Sequence, residues 1–155
     1  MKSIIKTAFV ALLFGFAWAG DLPDVPGALN PDVTQATIHQ TVCVSGWTKT
    51  VRPSVSVSNR IKREKLATLA DKTMSDYELD HLISLQLGGA PDDPANLWPE
   101  PYAGPCGARR KDRIETALKR EVCAGKITLK QAQDAIRTNW IEAYRKYVGP
   151  LQCGE

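Results

Sequence analysis

Four cysteines constrain the fold of this sequence more than any other feature: Cys43, Cys106, Cys123 and Cys153. Ahead of them, Lys2 and Lys6 form a charged start and Thr7 to Phe16 a short apolar run. Ala17-Trp18-Ala19 then closes the segment with a small-x-small pattern. That order is the layout of a cleaved export signal, so residues 1–19 are expected to be removed and the mature chain to be secreted or periplasmic. In such a compartment an even set of cysteines forms disulfides, here two, and spacing leaves three connectivities open. Zinc is the competing use, but no two cysteines are close in sequence and no His lies beside any of them. The apolar run is too short to span a bilayer, and no Cys follows it to carry a lipid.

At 155 residues and 43% apolar, the chain suits one domain with a packed core, expected to be a monomer, and not a disordered or fibrous protein. Its formal net charge of +3 is misleading. Lys2 and Lys6 are two of the 20 basic residues, and without them 18 face 17 acids, a net +1. The distribution says more. No Lys or Arg lies between Lys72 and Arg109, whereas Asp76, Glu78, Asp80, Asp92, Asp93 and Glu100 do. Lys49, Arg52, Arg60, Lys62, Arg63 and Lys65 precede this stretch; Arg109, Arg110, Lys111, Arg113, Lys119 and Arg120 follow it. An acidic centre with basic flanks suits a cation site beside a polyanion track, and it equally suits the solvated faces of helices.

Local patterning gives an α+β class. Residues 20–36, with Pro23, Pro26, Gly27 and Pro31, read as an extended lead-in to a single domain over 37–155. Thr37 to Val44 is rich in β-branched residues and reads as a strand; Ser54 to Ser58 alternates Ser and Val and reads as extended. Asn59 to Ala70 has helical spacing. Tyr77 to Leu85 reads as extended, with Gly88-Gly89 as punctuation after it. Ala108 to Cys123 reads as a helix on Ile114, Leu118 and Val122, stopped by Gly125. Thr128-x-x-Gln131 is a capping box for a last helix carrying Ile136, Trp140, Ala143 and Tyr147, ended by Gly149-Pro150.

The chemistry-bearing residues gather in Glu78-x-Asp80-His81. Phosphodiester hydrolysis needs a cation to offset charge on the phosphate and a base to deprotonate water, and Asp-His supplies one of each. An isolated Asp-His pair is also an ordinary surface ion pair. The wider pattern, Asp80-His81, then Gly88-Gly89, then Asn96-Leu97, then a helix around Lys111, resembles the HNH nucleases of the ββα-metal fold over about residues 77–115. The chain is also similar to small exported bacterial HNH-like proteins in Cys-x-x-Gly-Trp-Thr from Cys43, Asn-Leu-Trp-Pro from Asn96 and Val-Cys-Ala-Gly around Cys123.

The resemblance implies a disulfide-stabilised ββα-metal hairpin-plus-helix core, with an additional N-terminal strand and helix and a C-terminal helix. It implies the pairings Cys43–Cys123 and Cys106–Cys153. It makes His81 the general base, Asp80 a metal ligand and Asn96 the residue that orients His81. Lys111 becomes a basic group for phosphate, with Arg109, Arg110 and Arg113 further phosphate contacts. The cofactor implied is a divalent ion, Mg2+ ahead of Mn2+ or Zn2+, and the partner is nucleic acid, DNA ahead of RNA. His39 matches nothing in the pattern. The family usually supplies a third His or Asn from the helix start, where this chain has Ala108 and Arg109. Asp112 or Glu115 is the expected substitute, or Asp80 holds the ion with water. The expected activity is metal-dependent endonucleolytic hydrolysis with little sequence preference. The rival expectations are a catalytically inactive binding or inhibitor module on the same scaffold, and a disulfide-stapled envelope interaction protein.

Overall fold

The computed structural model describes residues 25–69 and 73–154; the expected export signal, residues 20–24 of the lead-in and Ala70 of the expected helix lie outside them. The described residues form four α-helices and one two-stranded antiparallel sheet. In chain order these are α1 (Trp47–Val51), α2 (Val55–Leu66), β1 (Tyr77–His81), β2 (Leu97–Pro101), α3 (Ala108–Cys123) and α4 (Leu129–Tyr147). The α+β class expected from the sequence is therefore found. No helix among the described residues is long and apolar enough to cross a membrane.

The core lies where α3 packs on α4. Ile114, Leu118 and Val122 meet Ile136, Trp140, Ala143 and Tyr144, and Ile114, Leu118, Ile136 and Trp140 have no exposure at all. Burying side chains of this size contributes roughly 1.5–3 kcal/mol each, so this pair of helices is the platform on which the hairpin is mounted. Both arms of the capping box form at the start of α4: Gln131 N–H donates to Thr128 Oγ1, and Thr128 N–H to Gln131 Oε1. Mid-helix, Asn139 leaves helical geometry and its Oδ1 accepts from the N–H groups of Ile141 and Glu142. The second half of α4 thus restarts from an internal cap.

Three expectations are corrected. Residues 37–44 are not a strand but a series of turns. Thr41 Oγ1 bonds the Thr37 carbonyl and Thr37 Oγ1 that of Asp32, while Ile38 and Val42, four apart, face the core. The threonine hydroxyls favour turns by competing for backbone groups, which a composition-based strand reading overlooks. Ser54–Ser58 is not extended either. Ser54 is the N-cap of α2, accepting from Val57 N–H, and the helix runs to Leu66 with Ile61 and Leu66 buried. β1 stops at His81, and a short 3-10 turn, Leu85–Leu87, replaces the rest of the expected extended stretch.

Residues 25–30 of the lead-in lie along the loop between the strands, with an isolated bridge between Leu29 and Gly89, and residues 31–36 lead into the turns. Gly27 N–H donates to the Ala95 carbonyl, Asn30 N–H to Gly88 and Ala90 N–H to Ala28. The two disulfides are Cys43–Cys123 and Cys106–Cys153, with Cα–Cα separations of 5.7 and 5.1 Å. The first ties the N-terminal turns to the end of α3, and the second ties the start of α3 to the C-terminal segment. These are the pairings the resemblance implied, and disulfides fit an extracellular or periplasmic compartment.

Candidate active site

The site is built on the register of the hairpin. Tyr77 faces Pro101, Glu78 faces Glu100, Asp80 faces Trp98 and His81 faces Leu97. Paired residues share a face of the ribbon, so Glu78, Asp80, Trp98 and Glu100 lie together on one side. Helix α3 follows β2 after the turns at 102–107 and sends Lys111 to that side.

Asn96 closes the loop. Its Nδ2 donates to the carbonyls of Ile83 and Ala90, its Oδ1 accepts from Ile83 N–H, and its exposure is zero. The loop is drawn in so tightly that a Cβ on Gly89 would lie 1.7 Å from the Ile83 carbonyl oxygen. Only glycine fits there. Asn96 does not touch the His81 ring. It holds the Ala90 carbonyl, and the next residue, Pro91, presents its own carbonyl to His81 Nε2 at 2.8 Å. A carbonyl only accepts, so Nε2 carries the proton and the lone pair is on Nδ1. His81 is 7% exposed. Burial holds its pKa below the ordinary histidine value, against the opposing effects of the Pro91 bond and Asp80. A neutral imidazole with a lone pair on Nδ1 is the form a general base requires.

Lys111 is the hub of the site. It is fully buried, and its ammonium donates to Asp80 Oδ2 at 2.6 Å, to the His81 carbonyl at 2.7 Å and to Glu115 Oε1 at 2.7 Å. The other Glu115 oxygen accepts from Ser84 Oγ at 2.6 Å. All three ammonium protons are used, so Lys111 is not the solvent-facing phosphate group of the sequence reading. It ties β1, the loop and α3 together. Burial pulls its pKa down, but Asp80, Glu115 and Glu100 outweigh that and hold it above the usual lysine range. Burial pushes Asp80 up, and the Lys111 ammonium more than compensates, leaving Asp80 below the ordinary carboxylate value. Glu115 is pushed up by burial to about 7 despite Lys111. With both oxygens bonded, Glu115 is not placed to ligate a cation.

Glu100 was not singled out as a site residue by the sequence reading. It has no exposure, and no donor reaches either of its oxygens. The group it faces is Asp80, and burial followed by the charge of Asp80 pushes its pKa up to about 10. Two carboxyls in contact do not both ionise, so Glu100 keeps its proton and donates it to Asp80. The spacing carried this signal: Trp98-x-Glu100 repeats the alternation of Glu78-x-Asp80 on the facing strand. Lys111 was equally legible, since positions 111, 114, 115, 118 and 122 form one helical stripe.

At the open edge stand two carboxylates, half-buried Glu78 on β1 and exposed Asp112 on α3. Burial and the neighbouring Asp80 raise both, and Asp112 adds to the rise at Glu78. Arg52, exposed at the end of α1, offsets them in part. Among the described residues no three His, Cys, Asp or Glu side chains gather closely enough to cage a metal directly. Asp80, next to both Glu78 and Asp112, already has its Oδ2 taken by the Lys111 ammonium. Arg109, Arg110 and Arg113 are exposed on α3, Ala108 is buried, and His39 is exposed on the N-terminal turns. No protein-family model, curated protein or solved structure matches the chain.

Proposed function

We propose that the chain is an exported, metal-dependent endonuclease that hydrolyses phosphodiester bonds of DNA, ahead of RNA, with little sequence preference. The observation that carries this reading is His81: a buried neutral imidazole, fixed through Nε2, at the end of a strand whose preceding residue is Asp80. Two antiparallel strands followed, after the turns at 102–107, by α3 support the resemblance to the ββα-metal fold.

In this reading His81 Nδ1 takes a proton from water. The water oxygen forms a bond to phosphorus, the ester P–O bond breaks, and the departing alkoxide takes a proton from solvent. Asp112 and Glu78, with Asp80 behind them, would hold the cation, which when bound offsets negative charge on the phosphoryl oxygens. Lys111 fixes Asp80 and the His81 backbone relative to α3, and Asn96 fixes the loop that presents Pro91. Arg109 and Arg110, exposed in the first turn of α3, are placed to meet phosphate.

Relaxation of supercoiled plasmid by the oxidised protein, in magnesium and in EDTA, tests this reading. Nicking in magnesium that stops in EDTA is the expected result; no nicking in magnesium, manganese or zinc overturns it. The absence of a closed ligand cage among the described residues favours one alternative, a catalytically silent nucleic-acid-binding module. That alternative predicts DNA binding, without nicking, that survives EDTA and His81→Ala.

A further inference from the structure

Beyond the reacting groups, a groove of about 440 Å³ runs along the outer face of α3 between Asp112, Arg113, Thr116 and Arg120 and is closed by Tyr147 at the end of α4. Asp112 belongs both to this groove and to the edge of the candidate site, so the two are continuous. Resting on the nuclease reading, we propose that this groove is a subsite for the phosphodiester backbone of a polynucleotide, carrying the strand away from the hairpin along α3.

Arg113 and Arg120 are seven residues apart on α3. That places them about 10 Å apart along the axis and within about 20° of each other around it. They are too far apart to share one phosphate, so each takes its own, and the groove reads more than one nucleotide of chain. Neither is locked in a strong ion pair. The Arg120 side chain is 69% exposed, with only a loose 3.4 Å contact to Glu121. The Arg113 guanidinium is steadied over the ring of Tyr144, 5.7 Å from its centre, which orients it without neutralising it. Two arginines along one face of α3, with no base-reading element beside them, match a sequence-independent polyanion.

The test measures binding of a labelled oligonucleotide in EDTA as a function of salt, for wild type, Arg120→Ala and Arg113→Ala/Arg120→Ala. Each lost phosphate contact lowers the slope of log K against log salt by about 0.9 on duplex, and the double variant weakens binding by about tenfold across unrelated sequences. In magnesium, the ratio of kcat/KM for plasmid to that for bis(4-nitrophenyl) phosphate falls by a similar factor, because the small ester does not reach the groove. Unchanged slopes in both variants overturn the groove, as does binding to phosphatidylglycerol vesicles without binding to oligonucleotide. Wild type that binds with the predicted slopes yet never nicks overturns the nuclease reading and leaves the groove standing. Wild type that nicks with slopes unmoved by the variants does the reverse.

Discussion

Replacing Glu100 with Gln isolates the most unusual group in the site. In the folded protein its carboxyl titrates at about 10, against 4.5 for an ordinary glutamate. A raised carboxyl binds its proton more tightly in the native state. Its contribution to stability is therefore complete below the unfolded value, near pH 4.5, and is lost progressively as pH rises toward 10. At pH 7 the unfolded chain has released that proton while the folded chain retains it. Across that interval of 2.5 units, at about 1.4 kcal/mol per unit, folding loses about 3 kcal/mol. Glutamine has the shape of the neutral acid and keeps an N–H to offer Asp80, without an ionisable proton. Glu100→Gln is thus expected to be about 3 kcal/mol more stable than wild type at pH 7 and level with it at pH 4. At about 2–4 °C per kcal/mol for a domain of this size, that is a Tm gain of roughly 6–12 °C. Urea unfolding of the oxidised proteins in EDTA at both pH values measures it. A variant no better at pH 7 than at pH 4 would mean that Glu100 is ionised and paired, and the description of the Asp80–Glu100 contact would be wrong.

Lys111→Met leaves Asp80 and Glu115 buried without their cation and is expected to cost about 3–5 kcal/mol in urea unfolding. Arg60→Ala, which breaks the exposed Arg60–Glu64 pair, should cost no more than about 1 kcal/mol in the same assay. Gly89→Ala forces a methyl into the Ile83 carbonyl, and its Tm should fall by far more than that of Gly125→Ala, where a Cβ meets nothing within 4 Å. Activity of the wild type should fall on the acid side as His81 takes up a proton. Because His81 is held below its ordinary value of 6.5, the midpoint of that limb in a kcat/KM profile should lie below pH 6.5.

The helices that carry the core were legible in the sequence because their signals are redundant. Ile114, Leu118 and Val122 share one stripe, and Thr128 with Gln131 announces the start of α4 before any packing is known. The turns at 37–44 were not legible as such. There β-branched residues suggested a strand, while the deciding interactions are hydroxyl-to-carbonyl bonds that pattern alone does not reveal. Ser54 illustrates a related ambiguity, since Ser alternating with Val fits both a short strand and an N-cap followed by the first turn of a helix. At the site, Asp80, His81 and Asn96 were recognisable by their order. What Asn96 holds was not, because its partners are backbone groups of a loop. The resemblance makes Lys111 a phosphate contact, although its position on the buried stripe of α3 argues for the interior. Glu100 escaped notice because its neutrality arises from burial and from Asp80, neither of which has a local signature.

His81 is the base of the proposed reaction, and chemical rescue tests that most directly. Oxidised His81→Ala, shown to be folded by its unfolding transition, is assayed for plasmid nicking in magnesium with and without added imidazole. The expected result is no nicking alone and partial recovery that follows the concentration of unprotonated imidazole. Nicking by His81→Ala at the wild-type rate would contradict the central claim.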